Sequence, residues 1–309
     1  MTTLLHRFPR RYTVVAALAV LAVLGGTLAP WAYGTFANTS AKDRIGATPP
    51  PALFPDSAVA PIGGQVADQG PRAADLIQAW WSGHGRARQD AQFVQWVEQT
   101  LPGPPAKGAR DAEVAEVQRI APTRTPAGIA AASWLEAYGK KDVWKLYAHD
   151  QAEMLPAAAG DARKRDVKDL LSMSKTVADA LGTRYQQSAP YVLHPDLRPD
   201  HNVVPGQVCP CSYPSRHATG GAAARTYLSY LQPHRAADYR WMESEVAWSR
   251  VYMAGHVPSD ITGGALLGDL LGDYFLVTRA HVPVAAAARS LRDLPSEGEA
   301  VPAARHPRG

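Results

Sequence analysis

Apolar residues recur three or four positions apart over most of the chain. Residues 75–101 carry Leu76, Ile77, Trp80, Trp81, Phe93, Val94 and Val97, and residues 127–147 carry Ile129, Trp134, Leu135, Tyr138 and Val143. The same spacing runs through 168–181, 220–231 and 239–253, the last with Trp241, Val246, Trp248 and Tyr252. This period predicts helices that each bury one face, and alternating strand-like runs are scarce. Residues 261–277 are apolar almost throughout, but Asp269 and Asp273 interrupt them, and Gly263, Gly264, Gly268 and Gly272 suit close helix contact. That combination predicts a buried core helix and not a membrane span. The expected fold is therefore all-α, a single helical-bundle domain over residues 73–293.

The flanks differ in character. Residues 13–36 contain no charged side chain, and Arg7, Arg10 and Arg11 stand just before them. Such a run is a targeting segment, either a signal peptide cleaved after Ala37 or an uncleaved membrane anchor, so residues 1–37 form the first unit of the expected organisation. Basic residues on the N-terminal side hold that end in the cytoplasm, which places everything after it outside, periplasmic or secreted. Residues 38–72, rich in Pro, Gly and Ala, read as a linker, and 294–309 as a disordered tail.

Composition narrows the function. Lys plus Arg number 32 against 28 Asp plus Glu, a balance of +4 spread over 309 residues, which argues against a nucleic-acid binder. Hydrophobic residues make up 46% of the chain, enough for a core built by packing. The two cysteines, Cys209 and Cys211, cannot complete a four-ligand zinc site, and their spacing is too short for an easy disulfide, so no role is expected of them. His194 and His201 flank Asp196 and Asp200 without regular ligand spacing and are expected in a solvated loop.

Two segments carry the candidate chemistry. The first is Pro214, Ser215, Arg216 and His217; the second, beginning after 31 intervening residues, is Ser249, Arg250, His256 and Asp260. His256 lies between Gly255, a plausible helix end, and Pro258, a good first helical residue, so it should sit at a helix N-terminus, where the macrodipole favours a neutral imidazole and a nearby phosphate. Asp260, four residues on, is placed to accept a hydrogen bond from one ring nitrogen and leave the other free to attack. Arg250 offers a forked cationic donor to phosphate oxygens. Ser212 and Pro214 are start signals for the next helix, whose first N–H groups should face an anion, with the Ser215 hydroxyl beside them.

Together the two segments resemble the signature of the type 2 phosphatidic acid phosphatase superfamily, which includes bacterial nonspecific acid phosphatases and vanadium haloperoxidases. Its later motifs, P-S-G-H and S-R-x-x-x-x-x-H-x-x-x-D, match here with Arg216 in place of the glycine. The resemblance covers roughly residues 174–276 and implies a helical bundle of the acid phosphatase and vanadium haloperoxidase type. It implies His256, His217 and Asp260 as catalytic residues, with His256 the nucleophile and His217 the acid that protonates the leaving group. Arg250, Ser215, Arg216 and Arg184 are the expected phosphate-binding set. The family's first motif, K-x-x-x-x-x-x-R-P, is altered. One register, preferred on its flanking residues, puts Gly182 at the lysine and Ala189 at the arginine; a rival puts Tyr191 at the lysine and uses Arg198. Arg216 either reaches over the phosphate to replace the missing fork or pairs with a surface acid, and Arg184 is the next candidate for the missing charge.

The resemblance implies a metal-independent phosphatase, with no cofactor, hydrolysing phosphomonoesters of small molecules or lipids through a phosphohistidine. The alternatives are a vanadium-dependent haloperoxidase, with vanadate as its cofactor, and a catalytically decayed anion-binding member. The expected partners are the phosphorylated substrate, the membrane if the N-terminal helix is uncleaved, and no nucleic acid.

Overall fold

The computed structural model describes residues 40–198 and 211–293. The expected targeting segment and C-terminal tail lie outside the described residues. By internal contacts the chain divides into two units, residues 1–47 and 48–309. In the first, the described part is the short helix α1 (Ala41–Ala47), where the Asp43 N–H donates to Ser40 Oγ at 3.1 Å.

The second unit is all-helical. Its elements are α2 (Asp56–Ala67), α3 (Gln69–His84), α4 (Asp90–Thr100), α5 (Lys107–Ile120), α6 (Pro126–Tyr138), α7 (Asp142–Glu153), α8 (Ala157–Tyr185), α9 (Pro190–Leu193), α10 (Arg216–Leu231), α11 (Ala236–Tyr252), α12 (Pro258–Thr278) and α13 (Val284–Arg292). The all-α expectation holds, and no strand occurs among the described residues. Several boundaries differ from the periodicity. The 75–101 run is two helices broken at Gly85, whose φ of 65° is a conformation glycine adopts freely. The 127–147 run likewise splits, at Gly139.

The expected linker over 38–72 is corrected more substantially. From Asp56 onward it is helix, and Val59, Ile62 and Val66 bury one face of α2 against α11. Pro61 and the neighbouring Gly63 and Gly64 hid that period, because proline removes a helical N–H and glycine lowers helix propensity.

At the centre α10 packs along α12, with α8 and α11 on its other sides, and α3 and α13 cover α12. Glycines set the closeness of the central pair. A Cβ at Gly268 would lie 2.4 Å from the Thr219 carbonyl oxygen, and one at Gly264 would lie 2.7 Å from that of Ser215, so larger residues there would force the two backbones apart. No helix among the described residues is long and apolar enough to cross a membrane; α12, with Asp269 and Asp273 fully enclosed, is the buried core helix the sequence predicted.

Those two aspartates are charged groups in an apolar place. Asp269 joins Arg225, Glu243 and Thr226 in a buried network: Arg225 Nε donates to Glu243 Oε2 at 2.7 Å, its Nη2 lies 2.8 Å from Asp269 Oδ1, and Thr226 Oγ1 donates to the same oxygen at 2.6 Å. Asp273 has one acceptor role, from Trp81 Nε1 at 2.9 Å, and no hydrogen-bond partner for its second oxygen among the described residues. Burial pushes its carboxyl up to about 7. A carboxyl raised in the folded state binds its proton more tightly there than in the unfolded chain, so its contribution to stability is lost as pH rises from the ordinary aspartate value through about 7. Asp273→Asn keeps the acceptor for Trp81 and removes the charge. It is expected to raise the melting temperature at pH 8, by up to about 4 kcal/mol of stability, and to change little at pH 4. Thermal unfolding at the two pH values checks this, and equal shifts at both would contradict it.

Candidate functional site

The turn between α11 and α12 presents His256. Two residues past the end of α11, Ala254 stands at φ 57°, a left-handed conformation that L residues adopt at some strain, and the N–H groups of Gly255 and His256 both donate to the Arg250 carbonyl. α12 then begins at Pro258, so the His256 ring stands just ahead of a helix N-terminus, as its flanking residues predicted. Two groups from α5 fix that terminus. Glu113 accepts from the Ser259 N–H at 2.9 Å and hydroxyl at 2.6 Å, and Arg110 Nη1 donates to Asp260 Oδ1 at 2.7 Å. Asp260, fully buried, also accepts from the Val257 N–H at 3.0 Å and from the Ser212 hydroxyl. Burial pushes its carboxyl upward, but His256 and Arg110 outweigh that and hold it below the usual aspartate value.

His256 Nδ1 lies 2.9 Å from the Ser212 carbonyl oxygen and 3.6 Å from Asp260 Oδ2. A carbonyl only accepts, so Nδ1 carries the hydrogen and Nε2 keeps its lone pair. The expected direct hydrogen bond to Asp260 is thus corrected in detail. The immediate acceptor is the Ser212 backbone, because the carboxylate is drawn to Arg110, Val257 and the Ser212 hydroxyl; Asp260 acts on the imidazole through its charge at 3.6 Å.

α10 supplies the facing wall. Ser215 is its N-cap: the hydroxyl accepts from the Ala218 N–H at 3.4 Å, and the Ser215 N–H donates to the Asp260 carbonyl at 2.9 Å, tying the starts of α10 and α12 together. The helix begins at Arg216, one turn before the apolar period suggested. Arg216 and His217 are its first two residues, so their N–H groups have no intrahelical acceptor. His217 Nε2 donates to the Glu136 carbonyl at 3.1 Å, which leaves Nδ1 for chemistry. Burial drives His217 well below the ordinary imidazole value, and the charge of Arg250 adds to the shift while the bond to Glu136 opposes it.

These groups border a cavity of about 370 Å³ lined by Glu136, Asp179, Tyr191, Arg216, His217, Arg250 and His256 among others. Arg250 is buried, with Nε on Ser249 Oγ, Nη2 on the Ala132 carbonyl and Nη1 3.2 Å from Glu136 Oε1. An arginine has five N–H donors, so one on each terminal nitrogen is left for a ligand. Arg198 approaches the other oxygen of the same carboxylate at 3.6 Å and is itself buried. Glu136 therefore holds two guanidiniums side by side.

Not every expected residue reaches the cavity. Ser215 is enclosed as a cap. Arg184 donates to the Glu98 carbonyl at 2.8 Å and is corrected out of the site; the face of α8 that lines the cavity carries Ala178, Asp179, Gly182 and Thr183, and Arg184 points to α4 instead. Arg216 lines the cavity and pairs with Asp179 at 3.0 Å. Of the first-motif positions, Gly182 and Tyr191, one from each register, both line the cavity, Arg198 shares Glu136 with Arg250, and Ala189 is a buried N-cap. Cys211 is disulfide-bonded, which corrects the expectation that neither cysteine would be; the only other cysteine, Cys209, lies outside the described residues. His194 is in a short connection after α9, and His201 lies outside the described residues.

Reading the residues one by one missed Glu136, Arg110 and Glu113. All three are polar residues on otherwise ordinary amphipathic helices, and the only signal was a charge among apolar neighbours such as Leu135 or Val114.

A comparison with curated proteins found no match. The PAP2 superfamily model matches residues 171–280, a span that contains the C-terminal half of α8, all of α10, α11 and α12, and with them His217, His256, Arg250 and Asp260. Proteins of that superfamily are phosphatases and related phosphoesterases acting on phosphorylated substrates. The paired helix starts, the two histidines and the buried arginine thus all lie inside residues 171–280, the segment that matches the PAP2 superfamily.

Proposed function

We propose that the protein is a metal-independent phosphatase that hydrolyses phosphomonoesters through a phosphohistidine at His256. The observation that carries this reading is the His256 imidazole, fixed by its Nδ1–H on the Ser212 carbonyl beside the ionised Asp260, with Nε2 left for the cavity that Arg250 and His217 also line. In the first step the Nε2 lone pair attacks phosphorus and the ester P–O bond breaks. The departing alkoxide takes a proton from His217 Nδ1. In the second step the now neutral His217 takes a proton from water, whose oxygen attacks phosphorus, and the P–N bond breaks to release inorganic phosphate. Arg250, backed by Arg198 and held by Glu136, and the first N–H groups of α10 stabilise the equatorial oxygens.

His217 must be protonated for the first step, yet burial favours its neutral form. A bound phosphate dianion supplies the charge that draws the proton in, so the acid forms with the substrate. The proposed address is extracytoplasmic, with residues 13–36 as signal or anchor; the disulfide at Cys211 supports an oxidising compartment.

The test compares an aryl phosphate with an alkyl phosphate, using vanadate as inhibitor. His217→Ala is expected to lose about 10²–10⁴-fold on the alkyl ester, whose leaving group needs the proton, and less than about tenfold on the aryl ester. Equal losses on both would take the acid role away from His217. Peroxide-dependent halide oxidation with vanadate, in place of ester hydrolysis, would overturn the phosphatase reading.

A further inference from the structure

α5 lies outside residues 171–280, yet it reaches the centre of the site through Arg110. The buried guanidinium lies against Asp260, with Nη1 on Oδ1 at 2.7 Å and Nη2 3.5 Å from Oδ2. Nη2 also donates to the Ser188 carbonyl at 3.1 Å. Ser188 pairs with Cys211 in an isolated antiparallel bridge, and the Ser212 N–H donates to the Gln187 carbonyl at 2.7 Å. Arg110 thus touches both supports of the His256 ring: the Asp260 carboxylate, and the backbone pairing that carries the Ser212 carbonyl. It is not among the described residues that line the cavity, so its influence on a ligand passes through these groups.

The charged and titratable groups facing Asp260 are Arg110 and Glu113 from α5, His256 from the turn and Tyr213 ahead of α10. Burial favours the protonated acid, and His256 and Arg110 oppose it. His256 is neutral in its attacking form, whereas a guanidinium keeps its charge, so of these four groups only Arg110 is a permanent cation. That charge matters most once phosphorus is on the ring. Nε2 has then given its lone pair to the P–N bond, and the imidazole, with its hydrogen still on Nδ1, is a cation. When water attacks phosphorus, the P–N electrons return to Nε2 and a neutral imidazole leaves. A proton passed from Nδ1 to Asp260, by way of the Ser212 hydroxyl that touches both, would make the leaving group an imidazolate, a far poorer one.

We propose that Arg110 is a positioning residue for the reaction: it fixes the Asp260 carboxylate as a weak base beside His256, so that the Nδ1 hydrogen stays on the ring through phosphoryl transfer and hydrolysis. This role rests on the phosphatase reading and adds to it a residue from outside the matched segment. Glu113, three residues along α5, is the contrast: it anchors the same helix start through Ser259 and carries the opposite charge.

The pH profile of kcat/KM on an aryl phosphate tests this in the whole protein. Without the cation a proton is held more tightly by either member of the Asp260–His256 pair. Arg110→Gln is therefore expected to move the acid limb to higher pH by at least about one unit, a loss of about tenfold or more on that limb that fades as pH rises. Arg110→Lys is expected to return the limb to within about half a unit of wild type. Glu113→Ala breaks the other contact between α5 and α12 and removes an anion, so the limb should stay in place or move down. A cycle with Asp260→Asn separates charge from packing. Because Arg110 acts through the carboxylate, adding Arg110→Gln to Asp260→Asn is expected to change kcat/KM by less than about twofold. The double variant holds neither member of the pair as a lone buried charge, so it is informative even where Arg110→Gln alone does not fold. An acid limb unmoved in folded Arg110→Gln, an upward shift of the same size in Glu113→Ala, or a further loss of about fivefold or more in the double variant would overturn the role of Arg110 and leave the phosphatase reading standing. A wild-type protein that hydrolyses no phosphate ester would instead bring down that reading.

Discussion

His256→Ala is expected to abolish turnover, by at least about 10³-fold in kcat, while the protein stays folded. The size follows from the proposed chemistry: without the imidazole no covalent intermediate forms, and water must attack a phosphorus that only Arg250 and the α10 N-terminus polarise. The fold should survive because His256 lies at the edge of the cavity and its ring hydrogen-bonds only Ser212 among the described residues, at the carbonyl and more weakly at the hydroxyl, a net loss of about 1 kcal/mol. Asp260 keeps Arg110, Ser212 and the Val257 N–H, so the α12 N-terminus stays anchored. Steady-state rates with an aryl phosphate, alongside a thermal melt, check both halves. Residual activity above about a tenth of wild type would remove His256 as nucleophile.

Arg225→Met is expected to be the most destabilising substitution away from the site. The guanidinium is enclosed between two carboxylates, Glu243 and Asp269, and its Nη1 donates to Thr226 Oγ1 at 2.9 Å. Methionine fills similar space but leaves both acids buried without their cation, and removing one partner of a buried pair typically costs about 3–5 kcal/mol. Asp269 sets the sign of the pH dependence. Burial already raises its carboxyl to about 6, with Arg225 pulling the other way, so losing Arg225 raises it further. A raised carboxyl is tolerated when protonated and destabilising when ionised, and the loss should be smaller at pH 5 than at pH 8. Denaturant unfolding at both pH values measures this; a loss under about 1 kcal/mol at pH 8 would mean the network is not holding the core.

What was legible in the sequence was local. The spacing of Ser249, Arg250, His256 and Asp260 needs a helix, a turn and a new helix within a dozen residues, and Gly255 and Pro258 announce that turn. The glycines of α12 likewise signalled a close helix contact by their spacing alone. What was illegible was the set of partners brought in from afar. Arg110 meets Asp260 across 150 residues, and no feature of its own helix distinguishes it from a surface arginine. Glu136 looked like the polar edge of an amphipathic helix, yet it holds the guanidiniums of Arg250 and Arg198 on its two carboxylate oxygens. The first motif is a related case: flanking residues favoured the register through Ala189, while the pairing of Arg198 with Glu136 is made only by the packed helices.

The glycine contact between α10 and α12 has a bearing on how such a protein can diversify. His217 belongs to the first turn of one helix and His256 to the threshold of the other, and along their seam the α12 glycines meet the α10 backbone and the small side chains of Ala218, Ala222 and Thr226, with no room for anything larger. Point changes along that seam cannot move the reacting groups nearer or farther without prising the pair open. The reaction geometry is in this sense frozen, and variation is channelled to the walls that α6 and α8 contribute, where Glu136, Asp179 and their neighbours can be exchanged to admit a new substrate around an unaltered reaction.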